Sequence, residues 1–147
     1  MTGRNLLRGL MLGAALAAMP LAALAEAVKV AIHVDEEDVS TMNMALNNAA
    51  NILKHYQGLD QEVVVEIVTF GPGLHMLRAD TSPVKARIEE MALTYENLTF
   101  SACLNTVQAM KQQSQKDVPL LEEATEVPSG AVRLMELQFA GYAYLRP

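Results

Sequence analysis

Three short apolar runs rich in β-branched residues, Ala27 to Val34, Glu62 to Phe70 and Leu98 to Ala102, recur along the chain with helical patterns between them. A run that is apolar on both faces must be covered on both, which is the situation of a central strand in a parallel sheet. Between the first two runs, Met42, Ala45, Leu46, Ala49, Ile52, Leu53 and Tyr56 follow helical spacing, predicting a helix from Thr41 to about Tyr56 closed by Gly58. Between the second and third, Thr81-Ser82-Pro83 offers a capping hydroxyl and a proline at the first helical position, ahead of an apolar stripe at Val84, Ile88, Met91 and Tyr95. A third helix is expected over Thr106 to Gln115. A fourth, capped by Ser129 and ended by Gly141, carries Val132, Leu134, Met135, Leu137 and Phe139 on more than one side and should be largely buried. Val118 to Leu121 reads as a short strand or an irregular packed segment, and Tyr142 to Leu145 as a closing strand. Strands alternating with helices imply a parallel sheet with right-handed crossovers and helices on both faces.

The first residues have the pattern of an export signal. Arg4 and Arg8 form a basic start, Gly9 to Leu21 holds no charge, and Ala23-Leu24-Ala25 supplies a small-residue cleavage site before Glu26. As a membrane anchor the stretch falls short of the ~20 residues a span needs, and it contains Pro20. An exported, periplasmic chain with no membrane attachment after cleavage is therefore expected. Taking 25 residues from 147 leaves 122, enough for a single domain over residues 26–147. Removing Arg4 and Arg8 from 11 basic residues leaves 9 against 17 acidic ones, a formal charge of −8 that argues against nucleic acid as a partner.

Cys103 is the single cysteine. Oxidising compartments pair structural thiols in even numbers, so a lone thiol there is buried, bonded to another molecule, or kept for chemistry. It falls between the third strand and the third helix, with Asn105 or Thr106 as the expected N-cap. Free amides and the helix dipole at such a place stabilise a thiolate; the competing reading is a small buried hydrophobe. In parallel sheets reactive groups gather at the carboxyl ends of strands. That rule groups Cys103 with His33 beside Asp35, with the Gly71-Pro72-Gly73 turn, and with His75, so that His33, His75, Asn105, Thr106, Gly71 and Gly73 are the candidate substrate-binding residues.

Other motifs have simpler readings. Gly71-Pro72-Gly73 lacks the lysine and hydroxyl of a phosphate loop. Asp35-Glu36-Glu37-Asp38 lacks the alternation of a calcium loop and suits the start of a helix. Met42, Met44, His75 and Met76 raise soft-metal binding, with copper as the candidate, but Met42 and Met76 fit core positions. No metal site and no cofactor is expected. Asn43, Asn47, Asn51 and His55, four apart, form one polar stripe, either solvated or a seam against another subunit.

The order of strand, Asn-rich helix, strand ending in Gly71-Pro72-Gly73, and third strand opening onto a single cysteine resembles the DsrE/DsrF-like family. Val127-Pro128-Ser129-Gly130 through Gly141-Tyr142-Ala143-Tyr144 resembles its exported branch. The resemblance implies a three-layer α/β/α fold with a mostly parallel sheet of about five strands, in a homo-oligomer, commonly a trimer or hexamer. It also implies a cysteine, matched by Cys103, that carries sulfur as a persulfide between a donor and an acceptor protein. The relay members tend to carry an Arg-Gly pair in the helix after the cysteine, where this chain has Ala109-Met110-Lys111-Gln112. Two functions then compete: a periplasmic sulfur carrier, at most sulfurtransferase-like as an enzyme, and a non-enzymatic oligomeric module with a structural cysteine. Copper binding stands outside both.

Overall fold

Each apolar run becomes a strand in the computed structural model, which describes residues 26–147: β1 (Val28–Val34), β2 (Val63–Thr69) and β3 (Leu98–Cys103). The expected export signal lies outside the described residues. The tract before Pro128 supplies β4 (Ala124–Val127), and the tail supplies β5 (Ala143–Leu145). The five strands pair in parallel, in the order β4-β3-β2-β1-β5. Four α-helices, α1 (Val39–Gln57), α2 (Lys85–Thr94), α3 (Leu104–Ser114) and α4 (Gly130–Phe139), and a 3-10 helix over Gly71–Leu77 complete a three-layer α/β/α arrangement.

The alternation of side chains along each strand sorts the sheet into two unlike faces. Val30, Ile32 and Val34 of β1, Val65 and Ile67 of β2, and Phe100 and Ala102 of β3 share one face. There they pack with Met42, Leu46 and Leu53 of α1, Ile88 and Met91 of α2, and Leu74, Met76 and Leu77 of the 3-10 helix. Each fully buried Leu, Ile or Phe stabilises the fold by about 1.5–3 kcal/mol, so this face dominates the apolar stabilisation. The opposite face carries Ala31, His33, Glu66, Val68, Ser101 and Cys103, and among the described residues only α4 crosses it, through Leu134 and Leu137.

The strand order explains the asymmetry. From β1 to β4 the chain steps in one direction across the sheet, and right-handed crossovers place α1, α2 and α3 on the same side. The connection from β4 back to β5 runs the other way, so α4 lands on the other side.

Local expectations fare unevenly. Helix α1 begins earlier than its apolar periodicity suggests, because Asp38 caps it: its Oδ2 accepts from Thr41 N at 2.7 Å and from Thr41 Oγ1 at 3.0 Å. Gly58 keeps right-handed angles, and the left-handed step falls two residues later at Asp60 (φ 54°). Ser82 does not cap α2; its hydroxyl donates to Met76 O at 2.6 Å, binding the 3-10 helix instead, and α2 starts only at Lys85. Val118 and Leu121 belong to an irregular packed segment, held by one antiparallel bridge between Arg78 and Leu120. Helix α4 is much less buried than its composition implies: Val132, Met135 and Phe139 are 51%, 54% and 85% exposed, since nothing covers its outer side in the single chain. Among the described residues no helix is long and apolar enough to cross a membrane.

Candidate thiol site

The chain after β3 turns to one face of the sheet and the chain after β4 turns to the other, so the carboxyl ends of these two neighbours form a topological switch point, where open parallel sheets hold their ligands. Cys103 stands there, in register with Val127 of β4. It is both the last residue of β3 and the N-cap of α3, a position the sequence pattern assigns to Asn105 or Thr106. The helix therefore starts directly at the thiol, and its first amides stand close to the sulfur.

As the N-cap, Cys103 makes no side-chain hydrogen bond to the start of α3. Burial of Cys103, which is 4% exposed, pushes its thiol up. The Thr106 hydroxyl and the amides of Gly130, Thr106 and Asn105 together outweigh burial, and the net displacement is downward from the ordinary thiol value. Asn105 N–H also reaches Pro128 O at 3.3 Å, tying the start of α3 to the loop that leads into α4.

Thr106 is held in turn. Gly71, at φ 54°, directs its N–H to Thr106 Oγ1 at 3.0 Å. With that lone pair occupied, the hydroxyl hydrogen is free to point at Cys103. Gly73 has no room for a side chain, because a Cβ there would lie 2.2 Å from Val34 O. Both glycines thus serve the geometry of the rim, Gly71 by a direct bond and Gly73 by letting the 3-10 helix lie against the end of β1.

Thr106 also lines a cleft of about 420 Å³ with Gly71, Pro72, His75, Arg78 and Met110. Cys103 itself is not on the cleft wall. A larger hollow of about 650 Å³, lined by Asp60, Glu62, Thr94 and Glu96 among others, lies at the opposite end of the strands, away from the sulfur. His75 belongs to the smaller cleft rather than to the thiol: its Nδ1 bonds Thr81 Oγ1 at 3.0 Å and lies 3.6 Å from Glu37.

His33 stands on the face of Cys103 but level with Ser101 through Val68, two strands away, roughly 10 Å of sheet width. Its ring stacks on Phe70 at 4.5 Å, its Nδ1 pairs with Tyr144 Oη at 2.8 Å, and its Nε2 is buried with no hydrogen-bond partner, 3.7 Å from Asp35. Burial keeps its pKa below the ordinary value; Asp35 opposes that and Arg146 adds to it. The link from His33 to the sulfur is steric: Phe70, on which it stacks, also presses on Gly130.

The sequence pattern gives no hint of Gly130 at the sulfur, since strand order alone brings residue 130 beside residue 103. The polar group beneath the thiol went unread in the sequence, though a signal was there. Glu66 interrupts an otherwise apolar central strand, and a buried carboxylate demands a partner. It has two, Ser101 Oγ at 2.6 Å and the Arg133 guanidinium at 2.8 and 2.7 Å. The asparagine stripe resolves similarly: Arg87 of α2 takes Asn43 and Asn47, leaving Asn51 and His55 in solvent.

Fold and site together define a five-stranded parallel α/β protein with one buried cysteine at the junction of β3 and α3. No family model matches the sequence, and no curated protein matches it. A solved structure does: the protein of unknown function MTH1491 from Methanobacterium thermoautotrophicum is 30% identical, covers 82% of this chain and 99% of its own, and superposes with a TM-score of 0.69. The chain belongs to the same family as MTH1491.

Proposed function

We propose that the protein is a periplasmic sulfur carrier in which Cys103 takes up one sulfane sulfur as a persulfide and passes it on. The observation that carries this reading is the place of Cys103, the last residue of β3 and the N-cap of α3, in register with Val127 at the switch point of the sheet. A persulfide carrier needs a nucleophilic sulfur stabilised as an anion, and a terminal sulfur added to Cys103 would itself be anionic near neutral pH. In the exchange the Cys103 thiolate attacks the outer sulfur of a donor persulfide, a new S–S bond forms, and the donor leaves as a thiolate. No outside oxidant is consumed. The resemblance to the DsrE/DsrF-like family and the export pattern of residues 1–25 support the same reading, with a donor or acceptor protein as the partner.

The test is the intact mass after incubation with polysulfide. A gain of one sulfur, reversed by reductant and missing from Cys103→Ser, is expected; equal uptake by Cys103→Ser ends the proposal. Thr106→Val should keep the site but slow alkylation of the thiol at neutral pH about threefold, through a smaller thiolate fraction.

The 4% exposure of Cys103 favours a second reading, an oligomeric binding module in which the cysteine only packs. Native thiol labelling separates the two: a thiol inert until the protein unfolds supports packing. Either reading is compatible with a homo-oligomer, proposed as a trimer or hexamer. The exposed Val132, Met135 and Phe139 on the outer side of α4 support assembly. Light scattering on the purified protein checks this, and a monomer at working concentration overturns it.

A further inference from the structure

Among the described residues His33 is the one buried histidine, and the last strand of the chain helps to seal it. Its side chain is 10% exposed. Phe70 stacks on the ring at 4.5 Å, and the Tyr144 hydroxyl of β5 meets Nδ1 at 2.8 Å. Nε2 is buried and has no hydrogen-bond partner among the described residues. Asp35 Oδ2 stands 3.7 Å from it, and the same carboxylate is already engaged by the tail: Arg146 Nε reaches Asp35 Oδ1 at 3.1 Å and Nη2 reaches it at 3.0 Å.

Little else holds β5 down. It is three residues long at the edge of the sheet, and all three are exposed, Tyr144 by 43% and Leu145 by 39%. Gly141, at φ 86° with no atom within 4 Å of where a Cβ would stand, turns the chain from α4 toward the strand. Beyond the ladder to β1, the side chains that fasten the tail are Tyr144 on His33 and Arg146 on Asp35 and Glu36. Both fastenings end at one corner, the carboxyl end of β1.

That corner suits a neutral ring. Nδ1 and the Tyr144 hydroxyl share one hydrogen whichever of them donates, whereas a charged imidazole donates from both nitrogens and needs a second acceptor. Its Nε2–H would then be buried short of one, with the Arg146 cation close by. The charged and titratable groups around the ring are Asp35 and Glu36 from the loop after β1 and Tyr144 and Arg146 from the tail; Phe70 brings none. Further back on the face, Glu66 is level with Ala31 and is met by Arg133 of α4, and Lys29 is bonded to Glu26 and to Ala140 O. Burial accordingly holds the pKa of His33 below its ordinary value; Asp35 opposes that and Arg146 adds to it. Lifting the tail lets water reach Nε2 and takes Arg146 away, so the open form binds a proton more tightly than the closed one. By linkage, the form that binds the proton more tightly gains as the pH falls.

We propose that residues 143–147 form an acid-released strap, latched to β1 by neutral His33 through Tyr144 and let go when His33 is protonated. Release bares His33 and the outer edge of β1 from Val30 to Ile32. The device does not depend on what Cys103 does.

Hydrogen–deuterium exchange of the purified protein tests it, read by mass spectrometry on the tail peptide and expressed as protection relative to the unstructured rate at each pH. An exposed histidine titrates near 6.5, so opening of the tail should rise several-fold, up to about tenfold, between about pH 7.5 and 5.5. Peptides from β3 should keep their protection over the same range. His33→Gln leaves a hydrogen-bonding group for Tyr144 but takes up no proton there, and should show no rise. Tail protection that ignores pH, an equal rise in His33→Gln, or loss at β3 in step with the tail each overturns the proposal. Should His33→Gln not fold, the His33 ring proton resonances of the wild type decide. They should titrate with a midpoint below about 6.5, and a midpoint at or above that value overturns the latch.

Discussion

The two faces of the sheet are made from the same strands, yet they are built on different principles. The face under α1 and α2 is a continuous apolar layer in which Phe100, Ile32, Met42 and Leu46 are buried essentially completely. The face under α4 has four buried apolar residues, a carboxylate bound by an arginine, a histidine and the thiol. Burial on the first face is non-directional, so it fixes that the chain folds but tolerates small displacements. The second face holds a helix by oriented polar contacts, Glu66 with Arg133 and Ser101, which a small displacement breaks.

The largest expected effect breaks the first face. Phe100→Ala should cost about 3–5 kcal/mol, read by urea unfolding, because it removes a large ring from a layer that cannot collapse around the gap. A loss under 1 kcal/mol would mean that the two faces share the apolar load. Next comes the second face. Arg133→Met leaves Glu66 buried without its cation and should cost about 2 kcal/mol, less than for a fully buried pair because the arginine is partly exposed. The double change Glu66→Met with Arg133→Met should regain most of that stability. A double variant no more stable than Arg133→Met would erase the distinction between the faces.

A smaller effect comes from His33. Burial holds its folded pKa below the unfolded value of about 6.5, so the unfolded chain takes up a proton first as the pH falls. Its contribution is therefore fully present above that value and is lost as the pH falls below it. His33→Gln should flatten the slope of stability against pH between about 5 and 7; an unchanged slope would show that other groups carry it. The smallest effect is on the asparagine stripe. Asn51→Ala should stay within about 0.5 kcal/mol, whereas Arg87→Ala, which frees Asn43 and Asn47, should cost about 1 kcal/mol.

Much of the first face was legible in the sequence, because period-two and helical patterns report burial directly. β1, β2, β3 and β5, the stripe of α1 and the cap at Ser129 follow from local residues alone, whereas β4 lies beyond the Val118 to Leu121 run that pattern offered as a strand. The second face was not, and the reason is topological. Val132, Met135 and Phe139 look like core residues by composition, but whether a helix face is covered depends on what lies across from it. Placing Cys103 at the end of a strand needs only the turn from β pattern to helix. Knowing that Gly130 faces it requires the strand order, which spacing does not encode. His33 shares the face but not the contact, since an argument from strand ends fixes a level in the sheet and not a column.

The start of α3 is tied to the loop that leads into α4, through the Asn105 N–H on Pro128 O. A copy in which α4 has come loose from the sheet keeps its apolar layer under α1 yet loses that tie, so the surroundings of Cys103 register the undocking of one helix well before the fold as a whole gives way.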